Sequence, residues 1–328
     1  MAGPVLGSML GYWILFGGWR WLFWTITILS ALNLCLFTAL TEETYAPAIE
    51  KVLKYRAQHP IPEPRSFTEK ISPRRISHEL GWMTAMVSAD EAKSVFSKAF
   101  SRPGRLLFTN PVAFVFSAYY AYVYAIIYIF LVSVPLLFGS PPFLKPGLFS
   151  YQWTQATLSL AYVGLAVGFA ISATTAAFAQ DKIYKYLSKR NGDSGRPEYR
   201  LVLTQTGMCV MPIGLLIFGW TAHAETHWIG PEIGMVLLAL GLMLAFNSIQ
   251  NFIVDAFFPY SAAAVAAATA LRSVLACILP EFSPDLFHNL GWGWGGTLLA
   301  LVAFAAVPAP AIMFVYGQRF RERFKFEG

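Results

Sequence analysis

The chain has 328 residues, of which 56% are apolar and only 13% charged, against about 25% charged in a typical soluble domain. That balance excludes an ordinary soluble enzyme. The net charge of +6 is gathered in connectors between long apolar runs, not spread over a basic face, which excludes a nucleic-acid-binding module.

A helix needs about 20 apolar residues to cross roughly 30 Å of hydrocarbon. Eight segments meet that requirement: residues 1–16, 18–40, 108–138, 151–178, 201–221, 229–251, 259–280 and 292–316. The first is short, begins at Met1, and has neither the basic flank nor the cleavage site of a secretory signal; it reads as a truncated span. The expected fold is therefore an all-α membrane bundle of about eight helices. Cys35, Cys209 and Cys277 each lie in a different apolar run and read as small apolar side chains, not as a disulfide framework or metal site.

The connectors carry the topology signal, because Lys and Arg collect in cytoplasmic loops. Residues 41–107 contain eleven of them and 179–200 contain six, and the tail after 316 adds Arg319, Arg321, Arg323 and Lys325. The intervening connectors hold only Arg20 and Lys145. Eight crossings gather the three basic segments on one face, which predicts a multi-pass protein with both termini in the cytoplasm and the bilayer, not DNA, as its partner. The long connector has a Pro-rich stretch (Pro60, Pro62, Pro64) and an amphipathic piece from Ala89 to Phe100. Val95, Phe96, Ala99 and Phe100 of that piece share a face fit for the membrane interface.

Few residues in the apolar runs carry chemistry. Gly3, Gly7 and Gly11 stand four apart on one helix face, open to a close neighbour, with Pro4 bending that helix. Gly164/Gly168 and Gly230/Gly234 repeat the spacing and read as packing positions. Phe116, Tyr120, Tyr124 and Tyr128 form an aromatic face, suited either to an amphipathic organic ligand or cation in a cavity or to helix packing. Asn247 and Asn251 share a face that Asp255 continues toward the cytoplasmic end, and this reads as a cavity wall with a gate, or as interhelical hydrogen bonding. Arg272 is too deep to snorkel and needs a partner or a wet cavity, while the alanine-rich stretch from Ala262 to Ala270 allows close helix approach. His223 and His227 flank Glu225 in an outer loop and read as solvated. There is no phosphate-binding loop, nucleophile elbow or His-Glu-x-x-His helix. No enzyme, cofactor or metal is expected.

Several motifs in order resemble one known family. Gly3-Pro4-Val5-Leu6-Gly7-Ser8, Gly18-Trp19-Arg20-Trp21-Leu22-Phe23-Trp24 and Glu42-Glu43-Thr44-Tyr45-Ala46-Pro47 resemble the fifth and sixth helices of fungal major facilitator superfamily transporters, in the twelve-spanner drug:proton antiporter branch. The likeness continues through Arg102-Pro103, Arg196-Pro197-Glu198-Tyr199-Arg200-Leu201, Asp255-Ala256-Phe257, Leu271-Arg272-Ser273, Leu290-Gly291-Trp292 and Tyr316-Gly317. Two departures stand out. The family's first four helices have no counterpart here, and Glu281 stands where the family usually has an apolar residue.

The resemblance implies family helices five to twelve. Residues 1–40 would close the N-terminal bundle, 41–107 form the central cytoplasmic loop, 108–316 the C-terminal six-helix bundle and 317–328 the tail. It implies a transporter that exports small amphipathic organic compounds against proton entry by alternating access. In that scheme Gly3, Pro4 and Gly7 form the antiporter seam, and Tyr120, Tyr124, Tyr128, Asn247, Asn251 and Arg272 line the substrate pathway. Asp255 is the cytoplasmic gate. The expected partners are a small-molecule substrate, protons and the lipid bilayer, for a monomer in the plasma membrane or the vacuolar membrane. The alternative is a truncated, transport-incompetent fragment or incomplete gene model. Uptake of sugars or other nutrients on the same fold is disfavoured by the glycine–proline start and the Glu-Thr-Tyr signature.

Overall fold

A computed structural model describes residues 7, 10–11, 13–40, 97, 101–139, 148–192 and 195–324. Among them are helices and turns and no strand. The chain divides into two units, Ile14–Lys98 and the remainder, Met1–Trp13 with Ala99–Gly328.

In the smaller unit Gly18 takes a left-handed φ of 97°, turning the chain from a short 3-10 turn, Leu15–Gly17, into α1 (Trp19–Leu40). Trp19, Trp21, Phe23, Trp24, Ile28, Leu32 and Phe37 are all exposed, as suits a helix whose solvent is hydrocarbon. Two of its polar side chains bond back to the helix itself. The Thr25 and Thr27 hydroxyls donate to the carbonyls of Trp21 and Phe23 at 2.9 and 2.8 Å.

The larger unit holds α2 (Pro111–Phe138), α3 (Val163–Arg190), α4 (Leu201–His223), α5 (Ile229–Ala256), α6 (Ser261–Glu281), α7 (Ser283–Ala306) and α8 (Pro308–Arg323). The start of α2 is fixed chemically. Asn110 Oδ1 accepts from the amides of Val112 and Ala113, Pro111 opens the first turn, and Asn110 Nδ2 donates to the Phe324 carbonyl at 2.7 Å. Helix α5 is the hub, packing against α2, α3, α4 and α6, while α2 also packs on α6 and α4 on α7. The closest crossings use glycine: a Cβ on Gly214 would stand 2.4 Å from the Leu238 amide nitrogen, and one on Gly168 2.4 Å from the Val236 carbonyl. Buried Phe130, Phe218, Phe252, Phe287 and Trp292 fill the core between these helices.

Seven stretches of the described residues are long and apolar enough to cross a bilayer: Trp19–Phe37, Pro111–Phe138, Ser159–Arg190, Pro197–His223, Ile229–Ala256, Ser261–Glu281 and Ser283–Phe320. They match the second to eighth expected spans. Of the expected span 1–16, residues 1–6, 8, 9 and 12 lie outside the described residues, as do 41–96 and 98–100 of the central connector, with nearly all of its amphipathic piece.

Two boundaries differ from the hydropathy reading. Helix α3 begins at Val163, not at 151, and runs to Arg190, not to 178. Residues 148–154 instead pack along the helix ends beside the α4–α5 connector, where the Tyr151 hydroxyl donates to the Thr226 carbonyl at 2.7 Å and Trp292 Nε1 donates to the Phe149 carbonyl at 2.9 Å. Burial raises the Tyr151 phenol above its ordinary pKa. At the other end, the good helix formers between Gln180 and Arg190 carry the helix past the apolar run. The last span is interrupted at Gly291, whose φ of 73° sets Ser283–Leu290 apart from the rest of the span.

Candidate functional site

Arg272 lies near the middle of α6, at the depth where an uncompensated charge is costly. Its guanidinium lies 4.5 Å from the Tyr124 ring centroid, 5.5 Å from that of Tyr120 and 5.7 Å from that of Phe246. The rings are themselves held in place. Tyr120 stacks on Phe246 at 4.3 Å, Phe116 packs on Phe252 at 4.4 Å, and Tyr124 and Tyr128 meet at 5.0 Å with their hydroxyls 3.2 Å apart. Helical spacing aligns the α2 rings, and α5 supplies the two phenylalanines that fix their planes.

A polar relay runs through this cage. Arg272 Nη1 donates to the Tyr120 hydroxyl at 3.2 Å, and that hydroxyl donates to Gln250 Oε1 at 3.2 Å. Arg272 Nε is buried without an acceptor. Among the described residues no carboxylate pairs with Arg272; the ion pairs there join Arg200 to Asp255 and Asp181.

The expected pathway residues therefore fall into two groups. Tyr120, Tyr124, Tyr128 and Arg272 come together. Asn247 and Asn251 do not join them: they line a separate cleft of about 450 Å³ between α3 and α5, with Ala173, Ala176, Gln180 and Arg200. Gln250, which sequence reading leaves out of the site, belongs to both, lining the cleft and receiving the Tyr120 hydroxyl. The run of Asn and Gln around it is the available signal. Asp255 stands at the basic end of α5, where it binds Arg200 Nε in a short ion pair. Arg200 also lies 3.7 Å from Asp181 and 5.0 Å from the Tyr184 ring, so one side chain ties α3, α4 and α5 together. The seam residues Gly3 and Pro4 lie outside the described residues; Gly7 is exposed, with open space where a Cβ would stand.

Glu232, in the first turn of α5, is a residue that sequence reading does not single out. Its Oε2 accepts the Gly164 amide at 2.8 Å, close to the start of α3, while Oε1 is buried without a partner. His223 and His227 pack against Trp220 and Trp228. Among the described residues no group of three or more His, Cys, Asp or Glu could hold a metal ion.

Seven helices long and apolar enough to span a bilayer define the chain as an all-α, multi-pass membrane protein. Residues 1–280 match the Major Facilitator Superfamily, and the chain belongs to that superfamily of membrane transporters. It is 31% identical to the MFS transporter cpaT of Aspergillus oryzae, over 94% of this chain and 58% of that protein. It is 32% identical to the efflux pump FUB11 of Gibberella fujikuroi (99% of this chain, 52% of the pump) and 30% identical to an uncharacterized transporter of Schizosaccharomyces pombe (98% and 61%). The chain thus spans between about half and three-fifths of the length of these relatives. No solved structure matches it.

Proposed function

We propose that this chain forms the C-terminal half of an exporter that moves small amphipathic organic compounds outward by alternating access, driven by proton entry. The observation that carries the reading is Arg272, held at mid-depth in a cage of aromatic rings and linked through Tyr120 to Gln250. Charged groups inside spans persist where they face protein or a wet cavity, and they mark pathways. The antiporter-like motifs, and the efflux-pump names borne by three of the similar fungal proteins, favour export over uptake. In this scheme residues 1–40 complete the first bundle, residues 108–316 form the second, and the Arg200–Asp255 pair is a latch at the cytoplasmic end. The protein acts as a monomer in the plasma membrane, with both termini inside.

Expression in cells deprived of their own export pumps tests this. Accumulation of at least one compound in a panel of amphipathic drugs and toxins falls on expression and recovers with a protonophore, and Arg272→Ala removes the difference. Unchanged accumulation across the panel would refute export; persistence in the variant would remove Arg272 from the pathway.

A further inference from the structure

The cage around Arg272 is one-sided in its hydrogen-bonding chemistry. A guanidinium carries five N–H donors. One is taken by the Tyr120 hydroxyl, and the Nε–H is buried without an acceptor. No described carboxylate lies within ion-pair reach: Asp255 and Asp181 are engaged by Arg200 at the basic end, and Glu232 sits in the first turn of α5, at the far end of that helix from Gln250. Gln250 spends its carbonyl oxygen on Tyr120, so it offers the guanidinium no acceptor. The site thus offers donors and positive charge, with the Tyr124 and Tyr128 hydroxyls as adaptable partners. The Tyr124, Tyr120 and Phe246 rings lie 4.5, 5.5 and 5.7 Å from the guanidinium, so they hold it by its π contacts and supply no acceptor beyond the Tyr120 hydroxyl.

A cationic ligand would meet a like charge here that no described carboxylate compensates. An anion completes the site, because a planar guanidinium matches a carboxylate in a bidentate pair and a low-dielectric surround strengthens that pair. We infer that the transported compound is an organic anion, a carboxylate on a flat apolar body, whose head binds Arg272 and whose body lies against Tyr124 and Tyr128. The inference rests on the export reading for its transport step, but the binding step stands apart from it.

Three probes with one body and three charges decide the matter: naphthoate, neutral naphthamide and naphthylmethylammonium. The protein in its natural full length, purified and reconstituted into proteoliposomes, is tested for saturable uptake of each probe, and the detergent-solubilised protein for thermal stabilisation by each. Naphthoate binds and moves, the ammonium does neither, and Arg272→Gln weakens naphthoate by about ten- to a hundredfold, the worth of charge-assisted hydrogen bonds, with Arg272→Lys in between. Naphthamide or the ammonium binding as tightly as naphthoate would overturn the anion site, as would naphthoate binding that Arg272→Gln leaves unchanged or no binding by any probe. The wild-type comparison needs no variant to fold. Naphthoate that stabilises the protein but does not move would uphold the anion site and count against export alone.

Discussion

Gly164 leaves its amide bare to the Glu232 side chain, and nothing larger fits. A Cβ there would stand 2.3 Å from Glu232 Oε2 and 2.8 Å from the Glu232 carbonyl oxygen. A side chain can rotate away but that carbonyl cannot, so Gly164→Ala must push α3 off α5. Overpacking of this kind destabilises by about 1–3 kcal/mol, which thermal unfolding in detergent measures; an unchanged midpoint would show that the two helices part without cost. Tyr120→Phe makes a different cut. The ring and its stack on Phe246 remain, but Gln250 Oε1 and Arg272 Nη1 each lose a partner. Leaving such groups unmet costs about 1–3 kcal/mol of stability, which lowers the thermal unfolding midpoint in detergent; an unchanged midpoint would show that the relay does not hold the helices together. These residues are unevenly legible in sequence. Arg272 and the tyrosines stand out because charge and periodic rings are rare inside apolar runs. Gln250 is separated from Asn247 and Asn251 only by contact: adjacent residues on a helix point about 100° apart, and a helix with neighbours on several sides gives each direction a different partner. Glu232 escapes notice because its position at a span's end reads as interface until the Gly164 amide is seen against it.

Among the elements, α5 binds the larger unit together, and its basic end is fastened by Arg200. That residue opens α4, yet it reaches Asp255 on α5 and Asp181 on α3 across the mouth of the Asn247–Asn251 cleft. The Arg200 and Asp255 side chains are 22% and 33% exposed, so solvent weakens the pair, and a value of about 1 kcal/mol is appropriate. Asp255→Asn should therefore shift a closed–open balance by roughly fivefold. A reporter Asn251→Cys in a cysteine-free background would then react about five times faster with an impermeant maleimide applied from the cytoplasmic side; equal rates would show that the pair holds no gate. Composition reveals where elements cross the membrane, but not where they end. Hydropathy cannot see that α3 continues through Lys182 and Lys189, because helix propensity outlasts apolarity there. The break at Gly291 is legible, by contrast: Ser283, Asp285, His288 and Asn289 precede it, and the expected last span begins at 292.

For the whole molecule, the distribution of charge joins the helix order to a direction across the bilayer. The end of α3 carries Lys182, Lys185, Lys189 and Arg190, and it lies beside the start of α4 and the end of α5. The opposite connector between α4 and α5 holds Glu225 and no Lys or Arg. Each Lys or Arg near the inner leaflet is attracted by about 1 kcal/mol to its anionic lipids, and moving such a cluster through hydrocarbon would cost far more. The orientation should therefore be single, with the α3–α4 connector inside and the α4–α5 connector outside. Cysteines introduced singly at Glu225 and at Arg190 test this in intact cells with an impermeant maleimide. Glu225→Cys labels at once, and Arg190→Cys labels only after permeabilisation. The reverse pattern would turn the Arg200–Asp255 pair to the outer face and remove it as a cytoplasmic latch. Labelling of both in intact cells would mean that the α4 crossing and the charge asymmetry do not share one membrane frame.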